Sequence, residues 1–222
     1  MKGKVAVIAG TLVDTAMGVE YLNKKDPEIE AIAYPATDSP RAGQLFQLSS
    51  QENKRKRFTE IFSDAESKGI KDFFIYCNSL SGVFDFEGFA AERGDRAYTP
   101  LQVYRELGEK YDRSAVIAVN NQSTAGIERA LFERNPNAEV IGLGILSLIS
   151  AVEDKRDPEE IVESFDLQDL VRFFEKNGVE CLILGCTHFP YFQEAISKRT
   201  HLPVINPADV MYDKLIHGME QG

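Results

Sequence analysis

The chain of 222 residues is 43% hydrophobic and 27% charged, and its formal net charge at pH 7 is −10. A chain of this length and apolar content folds into one large domain or two small ones, which excludes an intrinsically disordered protein. The acidic balance argues against nucleic acids and anionic membranes as partners, and no segment offers the ~20 consecutive apolar residues of a membrane-spanning helix.

Six short apolar segments alternate with longer amphipathic segments. The first is too short for the apolar part of a signal peptide and reads as a first β-strand, so we expect a cytoplasmic protein without a secretory leader. In chain order the predicted strands are 4–9, 29–34, 72–76, 115–119, 138–143 and 180–184. Nearly unbroken apolar runs are typical of parallel strands covered on both faces. The pattern therefore predicts an α/β fold with helices on both sides of a mostly parallel sheet.

The alternation also repeats at a fixed distance along the chain. An offset of 109 residues carries segment 6–9 onto 115–118, both of which read Ala-Val-Ile-Ala, and it carries Cys77 onto Cys186. The matches fall at equivalent places, namely the starts of strands and helices and the ends of strands. A fixed period is the signature of an internal duplication. We therefore predict two pseudo-symmetric α/β domains.

The duplication sets the expected domain boundaries and the place of the site. Because Thr-Pro at 99–100 resembles Asn-Pro at 206–207, we expect one domain to comprise residues 1–98 with 206–222 and the other residues 99–205. Ligands of open α/β sheets bind beyond the carboxyl ends of the strands, which places the active site in the cleft between the domains. The strand tips expected to face this cleft carry Asp14, Thr15, Cys77, Asn78, Ser79, Asn121, Thr124, Cys186, Thr187 and His188.

Two cysteines on opposite walls of one cleft suit proton transfer at a carbon acid. One thiolate removes a proton from one face while the opposite thiol returns a proton to the other face, which inverts the stereocentre. An unperturbed thiol has a pKa of ~8.5, and helix N-termini and nearby cations favour the thiolate. We therefore expect Cys77 and Cys186 to form the acid–base pair, with His188 tuning Cys186 and Asp14 in a matching place near Cys77. The small-molecule substrate would be bound by Thr15, Asn78, Ser79, Asn121, Thr124 and Thr187.

Other roles for these cysteines and histidines remain open on the sequence alone. Cys181 reads as a small buried hydrophobe, and either of the other cysteines could also be a buried thiol. Cys77, Cys186 and His188 could instead bind zinc, although the close pair of ligands usual in such sites is missing. A redox dithiol lacks its Cys-x-x-Cys signature, and three free thiols fit a reducing compartment. The basic run NKRKR at 53–57 reads as a solvated helix face.

Three motifs resemble those of the aspartate/glutamate racemase superfamily, the cofactor-independent amino-acid racemases, and the resemblance runs through nearly the whole chain. LGCTHFP at 184–190 is similar to the second-cysteine motif of glutamate racemases, and IYCNSLS at 75–81 is similar to their first-cysteine motif. VDTAMG at 13–18 resembles their first-strand Asp-Ser-Gly-x-Gly segment. The resemblance implies two pseudo-symmetric domains that enclose the substrate, with no cofactor and no metal. It also implies a catalytic set, which is Cys77, Cys186, Asp14, His188 and, in the sequence AVEDK, Glu153.

Two stretches depart from the family pattern. Where glutamate racemases carry a Cys-Pro-Tyr-Gly-like stretch, this chain reads Ser-Pro-Arg-Ala-Gly at 39–43, so Pro40 and Arg41 stand at a substrate-binding position. Arg41 could pair with a second substrate carboxylate, or it could be a surface residue. A Gly-Thr-x-Gly-Thr-like segment is replaced by VNNQST at 119–124. We therefore expect an amino-acid racemase that acts on glutamate or, in second place, on aspartate.

Rival functions use the same scaffold. A hydantoin racemase or a decarboxylase of the superfamily is the rival enzyme, and two cysteines in phase count against a decarboxylase because one generally suffices there. A two-lobed protein that binds a small molecule without catalysis is the rival from another class. With glutamate as substrate, the family role would be to supply D-glutamate for peptidoglycan. The sequence leaves the oligomeric state open, a homodimer included.

Overall fold

The computed structural model describes residues 3–221, which form two compact units. One unit takes in the chain up to Pro100 together with the segment from Ala208 onward. The other unit runs from Leu101 to Pro207. The boundaries expected from the sequence lie two residues earlier at both crossings. Each unit contains one four-stranded sheet with its own helices.

The elements of both units alternate along the chain as the sequence predicts. Within the described residues the strands are β1 (Gly3–Ala9), β2 (Ile29–Pro35), β3 (Asp72–Ile75), β4 (Arg96–Tyr98), β5 (Arg113–Ala118), β6 (Glu139–Gly144), β7 (Cys181–Leu184) and β8 (Val204–Ile205). The helices are α1 (Leu12–Lys25), α2 (Pro40–Leu48), α3 (Gln51–Ser67), α4 (Asn78–Ser81), α5 (Phe86–Arg93), α6 (Pro100–Lys110), α7 (Asn121–Phe132), α8 (Ser147–Glu153), α9 (Pro158–Ser164), α10 (Leu167–Lys176), α11 (Gln193–Ser197) and α12 (Pro207–Gln221). A 3-10 helix spans Phe189–Phe192. No helix in this part of the chain is both long and apolar enough to cross a membrane.

Both sheets are wholly parallel and share one strand order, β2-β1-β3-β4 in the first unit and β6-β5-β7-β8 in the second. This confirms the α/β class. The offset of 109 residues also relates their pairing, since Val5 pairs with Asp72 and Ser114 pairs with Cys181. The internal repeat is therefore present in the register of the central strands as well as in the sequence.

The structure corrects the sequence-based expectation at the sheet edges. Strands β4 and β8 escape prediction because three and two residues are too short to show a periodic pattern. They follow an offset of 107, since Phe73 pairs with Ala97 and Leu182 pairs with Val204. Burial on both faces holds for most of β1, β3, β5 and β7. It does not hold for β2 and β6, which lie at sheet edges and are partly exposed.

The helix–strand contact just before Cys77, and likewise the one just before Cys186, joins one large and one small residue. In the first unit Gly18 of α1 packs against Tyr76, and a Cβ atom at Gly18 would lie 2.8 Å from Tyr76 Cγ. In the second unit the sizes are reversed, because Ile127 of α7 packs against Gly185, where a Cβ atom would lie 2.5 Å from Ile127 Cδ1. The two pairs stand at equivalent positions, so the same gap is filled from opposite sides. This contact fixes the strand ends from which the two thiols project.

Candidate active site

Asp14 and Cys77 lie close together beside the end of β1 in the first unit. Thr11 caps α1 by accepting a hydrogen bond from the Asp14 backbone N–H at 3.3 Å, which sets Asp14 in the first helical turn. Cys77 follows β3 and occupies the N-cap position of α4. A Cβ atom at Gly10 would lie 3.3 Å from Asp14 Oδ2 and 3.8 Å from Cys77 Sγ. Carboxylate and thiol therefore both border Gly10, whose missing side chain leaves them room.

Burial and neighbouring groups shift the pKa of the Cys77 thiol in opposite directions. Burial raises its pKa to about 11, and the nearby Asp14 carboxylate acts in the same direction. The backbone N–H groups of Leu80, Ser79 and Gly10 lower the pKa because they donate to the thiolate. At neutral pH the resting group is therefore the thiol. The three N–H groups are in place to stabilise the thiolate once the proton leaves.

The predicted substrate-binding residues near Cys77 differ in their exposure. Asn78 and Ser79 are partly exposed in the turn that follows Cys77, as a substrate contact requires. Thr15 is buried, with 1% of its surface exposed, and its hydroxyl donates to the Thr11 carbonyl at 2.6 Å. The hydroxyl therefore ties the first turn of α1, and the substrate contact expected of Thr15 stays a prediction.

Arg41 lies in the first turn of α2, and the start of this helix packs against the tip of β1. A Cβ atom at Gly43 would lie 3.8 Å from the Gly10 carbonyl oxygen. The Arg41 side chain is exposed, as either a substrate-binding cation or a surface residue would be. Pro40 begins α2, and its side chain lies outside the described part of the chain.

A thiol, an imidazole and a carboxylate form a chain in the second unit. Cys186 Sγ lies 3.6 Å from His188 Nδ1, and His188 Nε2 lies 3.5 Å from Glu153 Oε1. Cys186 and His188 are buried, whereas the Glu153 side chain at the end of α8 is 55% exposed. A carboxylate near Nε2 attracts a proton to that nitrogen, and in that tautomer Nδ1 is the acceptor that faces the sulfur. The sequence-predicted residues Cys186, His188 and Glu153 are therefore brought together.

The buried hydroxyl of Tyr104 is a neighbour of Cys186 that the sequence does not reveal. Tyr104 lies in α6 and is fully buried. Burial raises the pKa of its phenol far above the usual range, and negative charge on Cys186 raises the pKa further. The phenol therefore stays protonated within electrostatic reach of the thiol. No sequence signal marks it, because it lies outside both cysteine motifs and its counterpart at offset 107 is Met211.

The other predicted substrate-binding residues of the second unit show the same mixture of buried and exposed side chains as those of the first. Thr124, the counterpart of Thr15, is buried and donates its hydroxyl to the Asn121 carbonyl at 2.8 Å. This hydroxyl closes the first turn of α7, and the substrate contact expected of Thr124 stays a prediction. Asn121 is exposed at the first residue of α7, and Thr187 is partly exposed beside the thiol.

Cys181 is a structural thiol. It is fully buried and donates to Ser114 Oγ at 3.4 Å, and burial raises its pKa to about 11. This confirms the interpretation of Cys181 as a buried small residue. Cys77, Cys181 and Cys186 are all free thiols. Among residues 3–221, no group of three or more His, Cys, Asp or Glu side chains has an arrangement suited to a metal ion.

The sequence is similar to those of glutamate racemases. It is 26% identical over 170 residues to glutamate racemase 3 of Caldanaerobacter subterraneus subsp. tengcongensis, an alignment that covers 71% of this chain and 59% of that protein. It is 30% identical over 102 residues to glutamate racemase of Limosilactobacillus reuteri, which covers 44% of this chain and 38% of that protein. The chain thus spans 59% of the length of the first relative and less of the second.

The fold matches those of solved racemase structures. An aspartate racemase homologue from Pyrococcus horikoshii superposes with a TM-score of 0.71 at 16% identity, covering 99% of this chain and 100% of that one. Glutamate racemase from Francisella tularensis, in complex with D-glutamate, gives a TM-score of 0.67 at 18% identity, covering 98% of this chain and 82% of that one. The model of the Asp/Glu/Hydantoin racemase family matches residues 99–215, which is more than half of the chain. The chain therefore belongs to the Asp/Glu/hydantoin racemase family.

Proposed function

We propose that this chain is a cofactor-independent amino-acid racemase in which Cys77 and Cys186 transfer protons at Cα. The observation that carries the proposal is a pair of equivalent strand ends, each of which bears a thiol beside a group that can govern its proton. Asp14 lies by Cys77, whereas His188 and Glu153 lie by Cys186. Membership of a racemase family supports an isomerase activity.

In the proposed reaction the substrate lies between the two thiols. A thiolate on one side takes the α-proton, and the thiol on the other side gives its proton to the opposite face of Cα. His188 takes the proton of Cys186 when that sulfur acts as base and returns it when the sulfur acts as acid. Backbone N–H groups stabilise the thiolate of Cys77 when it is the base. Each enantiomer would then meet a base of its own.

Glutamate is the first substrate in this proposal and aspartate the second. The sequence relatives are described as glutamate racemases, which supports glutamate. One fold neighbour is described as an aspartate racemase homologue, which keeps aspartate as the alternative. Arg41, exposed in the first turn of α2, would pair with the second carboxylate of either substrate. With glutamate, the product would be D-glutamate for peptidoglycan, made in the cytoplasm, where three free cysteines are expected.

Deuterium exchange at Cα tests the proposal. The purified chain is incubated in D2O with single enantiomers of glutamate, aspartate, other amino acids and a hydantoin. Deuterium at Cα is measured by mass spectrometry, and inversion is measured by chiral chromatography. We expect exchange and inversion with glutamate or aspartate. A decarboxylase would instead release carbon dioxide, and a protein that only binds the ligand would leave it unchanged.

Three cysteine variants complete the experiment. Cys77→Ala and Cys186→Ala should each abolish inversion because each removes one of the two proton-transfer groups. Cys181→Ala is the matched control, since Cys181 is buried against Ser114 and stands apart from both proposed proton-transfer groups. Full racemase activity in Cys77→Ala or Cys186→Ala would disprove the two-thiol mechanism.

A further inference from the structure

The basic run at 53–57 of α3 is not simply a solvated helix face. Lys54 is buried, with 4% of its surface exposed, and its Nζ donates to the Ser49 carbonyl at 2.7 Å. Arg57 donates from Nε to the Ala36 carbonyl and from Nη2 to the Pro35 carbonyl, each at 3.0 Å. Helix α3 therefore holds the segment that contains α2 at both ends.

The peptide held by Arg57 is bonded on its other side to the tip of β1. The backbone N–H of Ala36 donates to the Ala9 carbonyl at 2.9 Å. Thr37 donates to the Gly10 carbonyl twice, from its backbone N–H at 3.2 Å and from its hydroxyl at 2.7 Å. The segment 35–37 thus lies between the guanidinium of Arg57 and the backbone of Gly10.

Gly10 in turn borders the Cys77 sulfur. A Cβ atom at Gly10 would lie 3.8 Å from Cys77 Sγ, and the Gly10 N–H is one of the three backbone donors that lower the pKa of this thiol. A small shift of Gly10 would lengthen this contact and also change the spacing between Asp14 and Cys77. The contacts therefore run without interruption from α3 to the sulfur.

We propose that Arg57 is a positioning residue for Cys77, acting through the peptide 35–37 and Gly10. Planar guanidinium geometry suits this task because its N–H groups form a rigid fork that reaches two successive carbonyls, whereas the donors of an ammonium rotate on a flexible stem. The effect of Arg57 on turnover rests on the proposed racemase function. Its effect on the chemistry of the Cys77 thiol is independent of that function.

Alkylation of the individual cysteines tests the proposal. The intact chain is treated with iodoacetamide at pH 9, where only a small part of Cys77 is thiolate, and the label on each cysteine is followed by peptide mass spectrometry. Arg57→Gln should slow labelling of Cys77 about three- to tenfold. The loosened Gly10 N–H would lose part of the stabilisation that a hydrogen bond gives to a charged thiolate. Labelling of Cys186 should be unchanged, because that thiol lies in the other unit.

Arg55→Gln is the matched control. It removes a cation from the same helix, but Arg55 pairs with Glu92 and covers the ring of Phe89. It should leave labelling of Cys77 at the unsubstituted rate. Equal rates in Arg57→Gln and Arg55→Gln would overturn the proposal, as would an equal slowing of Cys186.

Two further variants keep the test decisive if Arg57→Gln does not fold. Arg57→Lys keeps the charge but loses the rigid fork that spans both carbonyls, so it should show a smaller slowing in the same direction. Thr37→Val removes the hydroxyl donor to Gly10 and should slow Cys77 labelling as well. If either variant folds and labels Cys77 at the unsubstituted rate, Arg57 does not act by this route. Because labelling needs no substrate, a failed racemase assay leaves this result intact.

Discussion

His188 lies between Cys186 and Glu153, with Nδ1 3.6 Å from the sulfur and Nε2 3.5 Å from a carboxylate oxygen. This order places the imidazole between the buried sulfur and the exposed carboxylate, where the proposed mechanism needs a group that exchanges protons with Cys186. In the first unit the position equivalent to His188 is Ser79, and the neighbouring acid is Asp14. The groups beside the two thiols therefore differ, with an imidazole next to Cys186 and backbone N–H groups next to Cys77.

Glu153→Gln should lower kcat for racemisation about tenfold, because the amide no longer favours a proton on Nε2 of His188. His188→Asn should cost about a hundredfold or more, since it removes the proton-exchanging group itself. Asp154→Asn is the matched control, because it removes the exposed carboxylate of the residue that follows Glu153. Initial rates with both enantiomers give the result, and a Glu153→Gln rate equal to that of Asp154→Asn would contradict the role of Glu153.

Asp14→Asn should make Cys77 more reactive toward alkylation while it slows the proposed racemisation. Removal of the Asp14 charge lowers the pKa of the Cys77 thiol, because that charge raises it in the native chain. At pH 9 the thiolate fraction, and with it the labelling rate, should rise about two- to fivefold. Turnover should fall, because the carboxylate beside the thiol is lost.

The matched control for Asp14 is Glu20→Gln, which removes an exposed carboxylate from the same helix, where Glu20 pairs with Lys24. It should change neither the labelling of Cys77 nor turnover. Slower labelling of Cys77 in Asp14→Asn would show that the carboxylate does not act on the thiol through its charge.

Alkaline pH should destabilise the protein through Cys181. Its folded pKa is about 11, above the ~8.5 of an unfolded thiol, so the folded state keeps its proton where the unfolded chain loses it. The stabilisation is present in full below pH ~8.5 and is lost as the pH rises toward 11. The loss amounts to about 2–3 kcal/mol.

Cys181→Ala measures this contribution. Urea unfolding should show that the variant loses less stability between pH 7 and pH 10 than the unsubstituted chain does. At pH 7 the variant itself is less stable, because its side chain is truncated. The comparison between the two chains isolates Cys181 from the tyrosines, which also titrate at high pH. An identical loss in both chains would mean that the buried thiol does not carry the effect.

Much of the site follows from sequence because it depends on local patterns. Apolar runs, the offset of 109 and the polar residues after each run predict the central strands and place Cys77 and Cys186 at strand ends. The motif resemblance adds Glu153, which the structure brings next to His188. Each of these signals is either periodic or contiguous in the chain.

The rest depends on where distant groups meet. In the sequence the hydroxyls of Thr15 and Thr124 are candidates for substrate binding. In the structure both donate to backbone carbonyls in the first turn of a helix. Tyr104 comes near Cys186 only through packing of a helix that begins at the domain boundary. Arg57 looks like a surface cation until the carbonyls of the β2–α2 connection are placed beside it. No window of sequence contains both partners of these contacts with a recognisable spacing.

Two glycines in equivalent helices should respond in opposite ways to alanine. A Cβ atom at Gly18 of α1 would lie 2.7 Å from Val7 Cγ1 and 2.8 Å from Tyr76 Cγ, so Gly18→Ala should destabilise the protein by about 1–3 kcal/mol. Gly126 of α7 has nothing within 4 Å of its missing Cβ, so Gly126→Ala should stabilise by about 0.5–1 kcal/mol through helix propensity. Both are measured by urea unfolding.

The double variant Gly18→Ile/Tyr76→Gly copies the pair at Ile127 and Gly185, and it should be more stable than the sum of the effects of its two single changes predicts. Equal tolerance of alanine at both glycines would contradict the account of the packing beneath the cysteines.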